Sequence, residues 1–460
     1  MTTPSVADLF ELHPVAVELG VRFRDAGHRL YLVGGTVRDA LRGEQHNDLD
    51  FATDARPEEV VRVLRGWADY HKLVGVRFGT VGARRGDMDL EITTFREEVY
   101  AEDSRRPHVT FAKEIETDLS RRDFTINAMA VGLPDGEFVD PFRGLYDLGH
   151  KLLRTPLEPE VAFADDPLRM LRACRFVATL DVTPQPEVVT AIQAMKERIS
   201  IVSSERIRDE LFKLLLGRRV AAGLELMVDT GLADLFLPEL PALRLEQDPV
   251  HRHKDVFRHT LAVVERCPAD LTLRLAALLH DIGKPKTREI TPEGVQFHHH
   301  EVEGARMAEA RLRALRCPER LVDDVRILVE MHLRFHTYHL GWSDGALRRY
   351  VRDAGPLLDR LNMLTRADCT TQNPKKAQEL TQLQDELEER VARLAEAENL
   401  AAIRPPLDGN QIMERLGLGP GPVVGEALDH LLEVRMDRGP IDEEEAYRLL
   451  DEWASQKGLR

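Results

Sequence analysis

The chain has 460 residues, a formal net charge of −16 at neutral pH, 43% apolar residues and 31% charged ones. That length allows about three domains with sizeable cores, and the lack of any run of about eighteen apolar residues excludes a membrane-crossing helix. The acidic balance argues against indiscriminate coating of nucleic acid, although a local basic groove would still hold RNA at a few places by its shape.

The start of the chain lacks the basic-then-apolar pattern of a signal peptide. Cys174, Cys267, Cys317 and Cys369 form no CxxC pair, so reduced thiols in a cytoplasm are expected and a zinc knuckle is not. Val15, Leu19 and Phe23, four apart, predict an amphipathic helix before Leu30. A buried strand follows (Leu30–Val33), then a diglycine turn at Gly34 and Gly35. Glycine lets the backbone press close to a ligand there. A short helix comes next, whose free N–H groups suit phosphate, with Arg38 in its first turn. In the next strand Asp48 and Asp50 are two apart and face the same way. Two neighbouring carboxylates repel unless a cation lies between them, and Mg²⁺ is the simplest such cation.

The stretch Asp54–Trp67 reads as a helix with Pro57 near its start. Strands are expected at Lys72–Val76, Thr80–Arg84 and Met88–Phe95, the last placing Asp89, Glu91 and Thr93 on one face. The polar segment Arg96–Ala112 is expected to be a loop, either a lid or plain surface. Asp118–Val131 reads "DLSRRDFTINAMAV".

In "FADDPLRMLRACRFVA" (Phe163–Ala178), Pro167 suits the first helical position and Asp166 the N-cap. Arg169, Arg172 and Arg175 recur every three residues and share one drifting face. Ser203–Gly217 is a capped helix with Arg206 on its polar side. Further helices end near Leu240-Pro241. Beyond them His259, His280-Asp281, His300, His332 and Asp368 are spread over several segments. Imidazole with carboxylate suits Mn²⁺, Ni²⁺ or Fe better than Mg²⁺. A long charged helix (Lys375–Ala402), a Pro-containing linker and a helical tail complete the chain. The Gly-Pro-Gly-Pro turn before Val423 offers backbone N–H groups to an RNA phosphate or is an ordinary turn.

Together "LVGGTVRDALRG…NDLDFAT", "RRDFTINA", "DDPLRMLRACRF" and "SSERIRDELF" resemble the motifs of class II nucleotidyltransferases, the CCA-adding tRNA enzymes and bacterial poly(A) polymerases. The histidine series resembles the HD phosphohydrolase superfamily. The resemblance implies a multidomain chain: an α/β nucleotidyltransferase head with a mixed sheet (1–155), an all-α neck (156–245), an HD-type body (246–372) and a helical tail (373–460). It implies catalysis by two Mg²⁺ on Asp48 and Asp50, supported by Glu91. Gly35, Arg38 and Arg122 would hold the triphosphate, and Asp166 with Arg169 would read the base, with Arg172 and Arg175 nearby. A carboxylate accepting from an amino group and a guanidinium donating to a ring nitrogen fit both cytosine and adenine. The implied partners are tRNA, ATP and CTP, and the implied activity is CCA addition. Poly(A) synthesis, CC-only or A-only addition, and hydrolysis at the HD site with a transition metal are the alternatives.

Overall fold

The structure, a computed structural model, describes residues 13–44, 48–73, 79–99, 108–245, 255–291, 294–371, 373–398 and 403–459. It divides into two compact units, Met1–Pro241 and Ala242–Arg460. Among the described residues no helix is long and apolar enough to cross a membrane. All four cysteines are free thiols.

The first unit begins with α1 (Pro14–Asp25), β1 (Leu30–Val33), α2 (Gly35–Leu41), β2 (Asp48–Thr53) and α3 (Pro57–Leu64). β3 (Tyr70–Leu73), β4 (Thr80–Arg85), β5 (Met88–Thr94), β6 (Arg96–Val99) and β7 (His108–Phe111) follow, then α4 (Ile115–Ser120), β8 (Ala130–Leu133) and β9 (Phe138–Val139). Seven strands form one mixed sheet in the order β3-β4-β5-β2-β1-β8-β9, with β2 and β5 parallel and the other pairs antiparallel. β1 is buried along its length because it feeds two cores. Leu30 and Leu32 pack with Leu19, Phe23, Leu49 and Phe51 on one face, while Tyr31 and Val33 pack with Phe95, Ile115 and Leu119 on the other. A strand with both faces covered reads as a continuous apolar run.

The expected loop over 96–112 is corrected in part. β6 and β7 pair antiparallel, from Arg96↔Phe111 to Val99↔His108, and residues 100–107 lie outside the described residues. The run His108-Val-Thr-Phe111 has the β-branched and aromatic composition that favours a strand, masked in sequence by its charged neighbours. The strand expected at Lys72–Val76 is found at Tyr70–Leu73, and residues 74–78 are not described.

After α5 (Gly144–Gly149), β10 (Leu152–Leu153) and α6 (Pro159–Asp165) the chain becomes mainly helical: α7 (Leu168–Leu180), β11 (Thr183–Pro184), α8 (Pro186–Met195), α9 (Ser204–Leu215) and α10 (Val220–Asp229). α7 packs against α9 and α10.

The second unit contains α11 (Val256–Arg266), α12 (Leu271–Leu279), α13 (Lys284–Thr287), the hairpin β12 (Arg288–Thr291) and β13 (Gly294–Phe297), α14 (His300–Ala314), α15 (Glu319–Met331), α16 (Asp344–Ala354) and α17 (Leu358–Asp368). The long helix α18 (Pro374–Glu398) leads to α19 (Gly409–Leu416), α20 (Pro422–Arg438) and α21 (Glu443–Gln456), which enclose a small core of their own around Ile412, Leu431, Leu450 and Trp453.

Candidate active site and candidate metal centre

Leu49 and Phe51 anchor β2 in the core, so the alternate residues Asp48 and Asp50 emerge on the opposite face. β5 lies beside β2 in parallel register, with Asp50 opposite Glu91 and Asp48 opposite Asp89. The three expected carboxylates, Asp48, Asp50 and Glu91, are therefore brought together on one sheet face. Burial pushes the Asp50 carboxyl up to about 6; Arg122 opposes the shift, and Glu91 and Asp48 add to it. Like charges crowded in this way are relieved by a cation, and an oxygen-only donor set fits Mg²⁺.

At the β1–α2 turn the left-handed residue is Gly34 (φ 70°). A Cβ there would lie 2.8 Å from Arg122 Nη1 and 3.8 Å from Asp50 Oδ2. Backbone, guanidinium and carboxylate thus converge on one point, and any side chain at 34 would occupy it. Of the two glycines expected in the turn, the positive φ falls on Gly34, and Gly35 opens α2. Arg122 is held by the buried Asp118, 3.1 Å away, which also takes Arg121 at 2.6 Å. Burial works against the Asp118 charge, but Arg121 and Arg122 hold its carboxyl below the usual range. Arg122 Nε is buried with no hydrogen-bond partner among the described residues, a donor suited to an anionic oxygen.

Arg38 is placed differently from expectation. It is buried, forks onto Asp39 with two bonds of 2.7 Å, and donates to Asn127 Oδ1 at 2.6 Å. Asn127 donates in turn to Asp123 at 2.9 Å, whose other oxygen accepts from Arg172 Nε at 2.8 Å. Arg172 and Arg175 both reach Glu210 of α9, at 3.4 and 3.2 Å. The guanidinium groups of Arg38, Arg172 and Arg175 stack around the Phe176 ring at 5.5, 5.4 and 4.2 Å from its centroid. Sequence spacing put the three α7 arginines on one face. The structure shows that two of them, with Arg38, join α2, the Asp123–Asn127 segment and α9.

Asp166 and Arg169 lie at the start of α7 and do not pair with each other. Asp166 Oδ1 accepts from Leu168 N at 3.1 Å, which is the expected capping role with the helix beginning one residue later. Its Oδ2 accepts from Arg206 Nη2 of α9 at 2.8 Å. Arg169 donates to the carbonyls of Ala162, at 3.2 Å, and Arg121. Asn127, Arg206 and Glu210 were given no role from sequence. For Arg206 the signal was its motif, and for Glu210 the helical spacing of four from Arg206.

In the second unit, five helices bring six candidate ligands together in two groups, His259/His280/Asp368 and Asp281/His300/His332, the ligand atoms of each group lying within 4.8 Å of one another. Each imidazole is fixed through Nδ1: His280 against Ala277 O (2.8 Å), His300 against Phe297 O (3.0 Å), His332 against Val329 O (2.6 Å) and His259 against Thr370 Oγ1 (2.8 Å). That leaves every Nε2 turned to the cluster, the arrangement of oriented metal ligands. His300 Nε2 lies 3.4 Å from Asp281 Oδ1, and His332 Nε2 is buried with no hydrogen-bond partner among the described residues, so the donor set fits a metal. Burial disfavours charge on His280, yet Asp281 and Asp368 carry it up to about 10. Burial and the nearby His280 push His332 down to about 3.

Strand-borne carboxylates beside a glycine bend and an arginine fork define a divalent-metal nucleotidyltransferase, here joined to an HD-type helical domain. Comparison with known proteins agrees. Residues 30–154 match the poly(A) polymerase head domain, 181–243 the probable RNA- and SrmB-binding site of polymerase A, and 256–397 the HD domain. The A-adding tRNA nucleotidyltransferase of Deinococcus radiodurans is 35% identical over 441 residues, 92% of this chain and 95% of that protein. The CCA-adding enzyme of Bacillus subtilis is 39% identical over 258 residues, 56% of this chain and 63% of its own length. The crystal structure of Bacillus stearothermophilus CCA-adding enzyme in complex with CTP matches with a TM-score of 0.71 at 26% identity, covering 97% of this chain and 98% of that one. The chain belongs to the family of tRNA nucleotidyltransferases and poly(A) polymerases.

Proposed function

We propose that this protein adds CCA to tRNA 3′ ends from CTP and ATP without a template, acting in the cytoplasm. The observation that carries the reading is the convergence of Asp50, Glu91, Gly34 and Arg122. Residues 1–155 serve as catalytic head, 156–245 as the base-reading neck, 246–372 as the HD body and 373–460 as a tail that helps hold tRNA. Two Mg²⁺ held by Asp48 and Asp50 would activate the 3′-hydroxyl and offset charge on the departing pyrophosphate. Glu91 orients the pair of aspartates from the adjoining strand. Arg122 and the backbone at Gly34 and Gly35 hold the triphosphate, and Arg38 holds the turn from behind through Asp39 and Asn127. Asp166 accepts from the amino group shared by cytosine and adenine, and Arg169 donates to the ring nitrogen. Uracil and guanine present a carbonyl to the carboxylate instead, leaving buried groups unpaired at about 1–3 kcal/mol each.

A-only addition is the second reading, favoured by one observation: a relative aligned nearly end to end is an A-adding enzyme. Sequencing of products from a tRNA ending at its discriminator base, incubated with both nucleotides, tests the choice. CCA ends support the proposal, and ends lacking cytosine support the second reading.

The HD cluster is inferred to hold Mn²⁺, Ni²⁺ or Fe through His259, His280, Asp281, His300, His332 and Asp368, as a phosphate-ester hydrolase separate from the head. Hydrolysis of 2′,3′-cyclic phosphate that survives Asp48→Ala and is lost in His280→Ala supports this assignment.

A further inference from the structure

The ends of α2 and α7 meet α5 around a cavity of about 580 Å³. Its position matters because these two helices carry the nucleotide site at their other ends, α2 starting at Gly35 and α7 following Asp166. Leu41, Leu148 and Leu180 give the cavity apolar wall, and Arg42, Lys151 and Arg218 line it with positive charge. Both carboxylates in the lining are already engaged. Asp181 takes Lys151 at 2.5 Å and Arg219 as well, while Glu44 takes Arg42 at 3.1 Å. The three lining cations outnumber the two lining carboxylates, a local positive excess in a chain of net charge −16. Arg42 Nε is buried without a hydrogen-bond partner, and Arg218 makes no hydrogen bond or ion pair among the described residues. The volume falls within the range of small-molecule sites, which combine an apolar wall with a few placed polar groups.

We propose that this cavity binds a small organic anion, an apolar body bearing one phosphate, sulfonate or carboxylate, and that its occupancy alters nucleotide binding through α2 and α7. The anion meets Arg218 beside the positive charge of Arg42, and the apolar body rests on Leu41, Leu148 and Leu180. α2 spans only about 10 Å, so a shift at Leu41 is carried to Gly35 through one rigid element. The coupling rests on the transferase reading above; the binding does not.

The test titrates the full chain with 1-anilinonaphthalene-8-sulfonate in saturating CTP and Mg²⁺, which keeps the dye out of the catalytic cleft. Gly149 lies in the cavity wall, and a Cβ added there meets no atom within 4 Å. Gly149→Phe therefore fills the space without backbone strain, and Arg218→Glu reverses the charge at an exposed position. The expected result is one dye per chain, with affinity reduced roughly 10-fold or more by either substitution. Bound dye should change the KM for CTP about twofold or more in the parent and leave it unchanged in Gly149→Phe. Dye binding indifferent to both substitutions overturns the site. An unchanged KM with dye bound overturns the coupling. If no transfer occurs at all, the titration still reports on the cavity alone.

Discussion

Asp166 is held by Arg206, 2.8 Å away on α9, and not by Arg169, its neighbour on α7. Arg206 therefore sets the direction of the carboxylate that would face the incoming base. Arg206→Ala should lower discrimination against UTP by roughly 10-fold, about 1.4 kcal/mol, while Tm stays nearly constant because the pair is partly exposed. Competition between CTP and UTP in single-turnover assays measures this. Unchanged discrimination would remove Arg206 from base selection.

A second expectation concerns Asp50. Folding raises its carboxyl to about 6 from an ordinary value of 3.8, through burial and then Glu91 and Asp48, with Arg122 opposing. The protonated form thus favours the folded state. Its stability contribution is complete below about pH 4 and is lost as pH rises through about 6. In metal-free protein, Asp50→Asn should therefore raise Tm by about 1–2 °C at pH 7.5 relative to wild type, with the gap closing at pH 4.5. Mg²⁺ should raise the wild-type Tm and leave the variant's unaltered. Scanning calorimetry at the two pH values reads both effects.

Asp123 has the opposite sign. Burial disfavours its charge, but Arg172, Asn127 and Arg169 hold its carboxyl far below the usual range. Its contribution is present above the unfolded pKa near 4 and disappears as pH falls further. Asp123→Asn keeps the bond to Asn127 in shape but strips Arg172 of its counter-ion, at a cost of about 3 kcal/mol. Urea unfolding at pH 7 should show that loss, and the difference from wild type should shrink in acid.

How far the sequence could anticipate this architecture follows from the range of each interaction. Leu30–Val33, the glycine bend and the Asp48/Asp50 face were readable because strand alternation and turn chemistry are local. The strand register that places Glu91 opposite Asp50 was available only through family resemblance. The bond from Arg38 to Asn127 was not readable because the two are 89 residues apart, and no local pattern points to it. Arg206 reaches Asp166 across 40 residues, so a polar helix face concealed its contact. The six HD ligands were assembled by type and motif, but their separation into two groups is a property of how the five helices meet.

Metal at the HD cluster should be separable from the head. Mn²⁺ or Ni²⁺ should raise Tm after chelator treatment, and His332→Gln should abolish that rise because His332 Nε2 is one of the buried unpartnered donors. Nucleotide transfer by His332→Gln should match wild type. Equal metal stabilisation in the variant would show that ions bind elsewhere.

The most direct measurement is extension of a tRNA lacking its 3′ end by the purified full-length protein with CTP, ATP and Mg²⁺, alongside Asp48→Ala and Asp50→Ala. The account predicts three added nucleotides for the wild type and a loss of at least about 10³-fold in rate for each variant. Undiminished extension by either variant would contradict it.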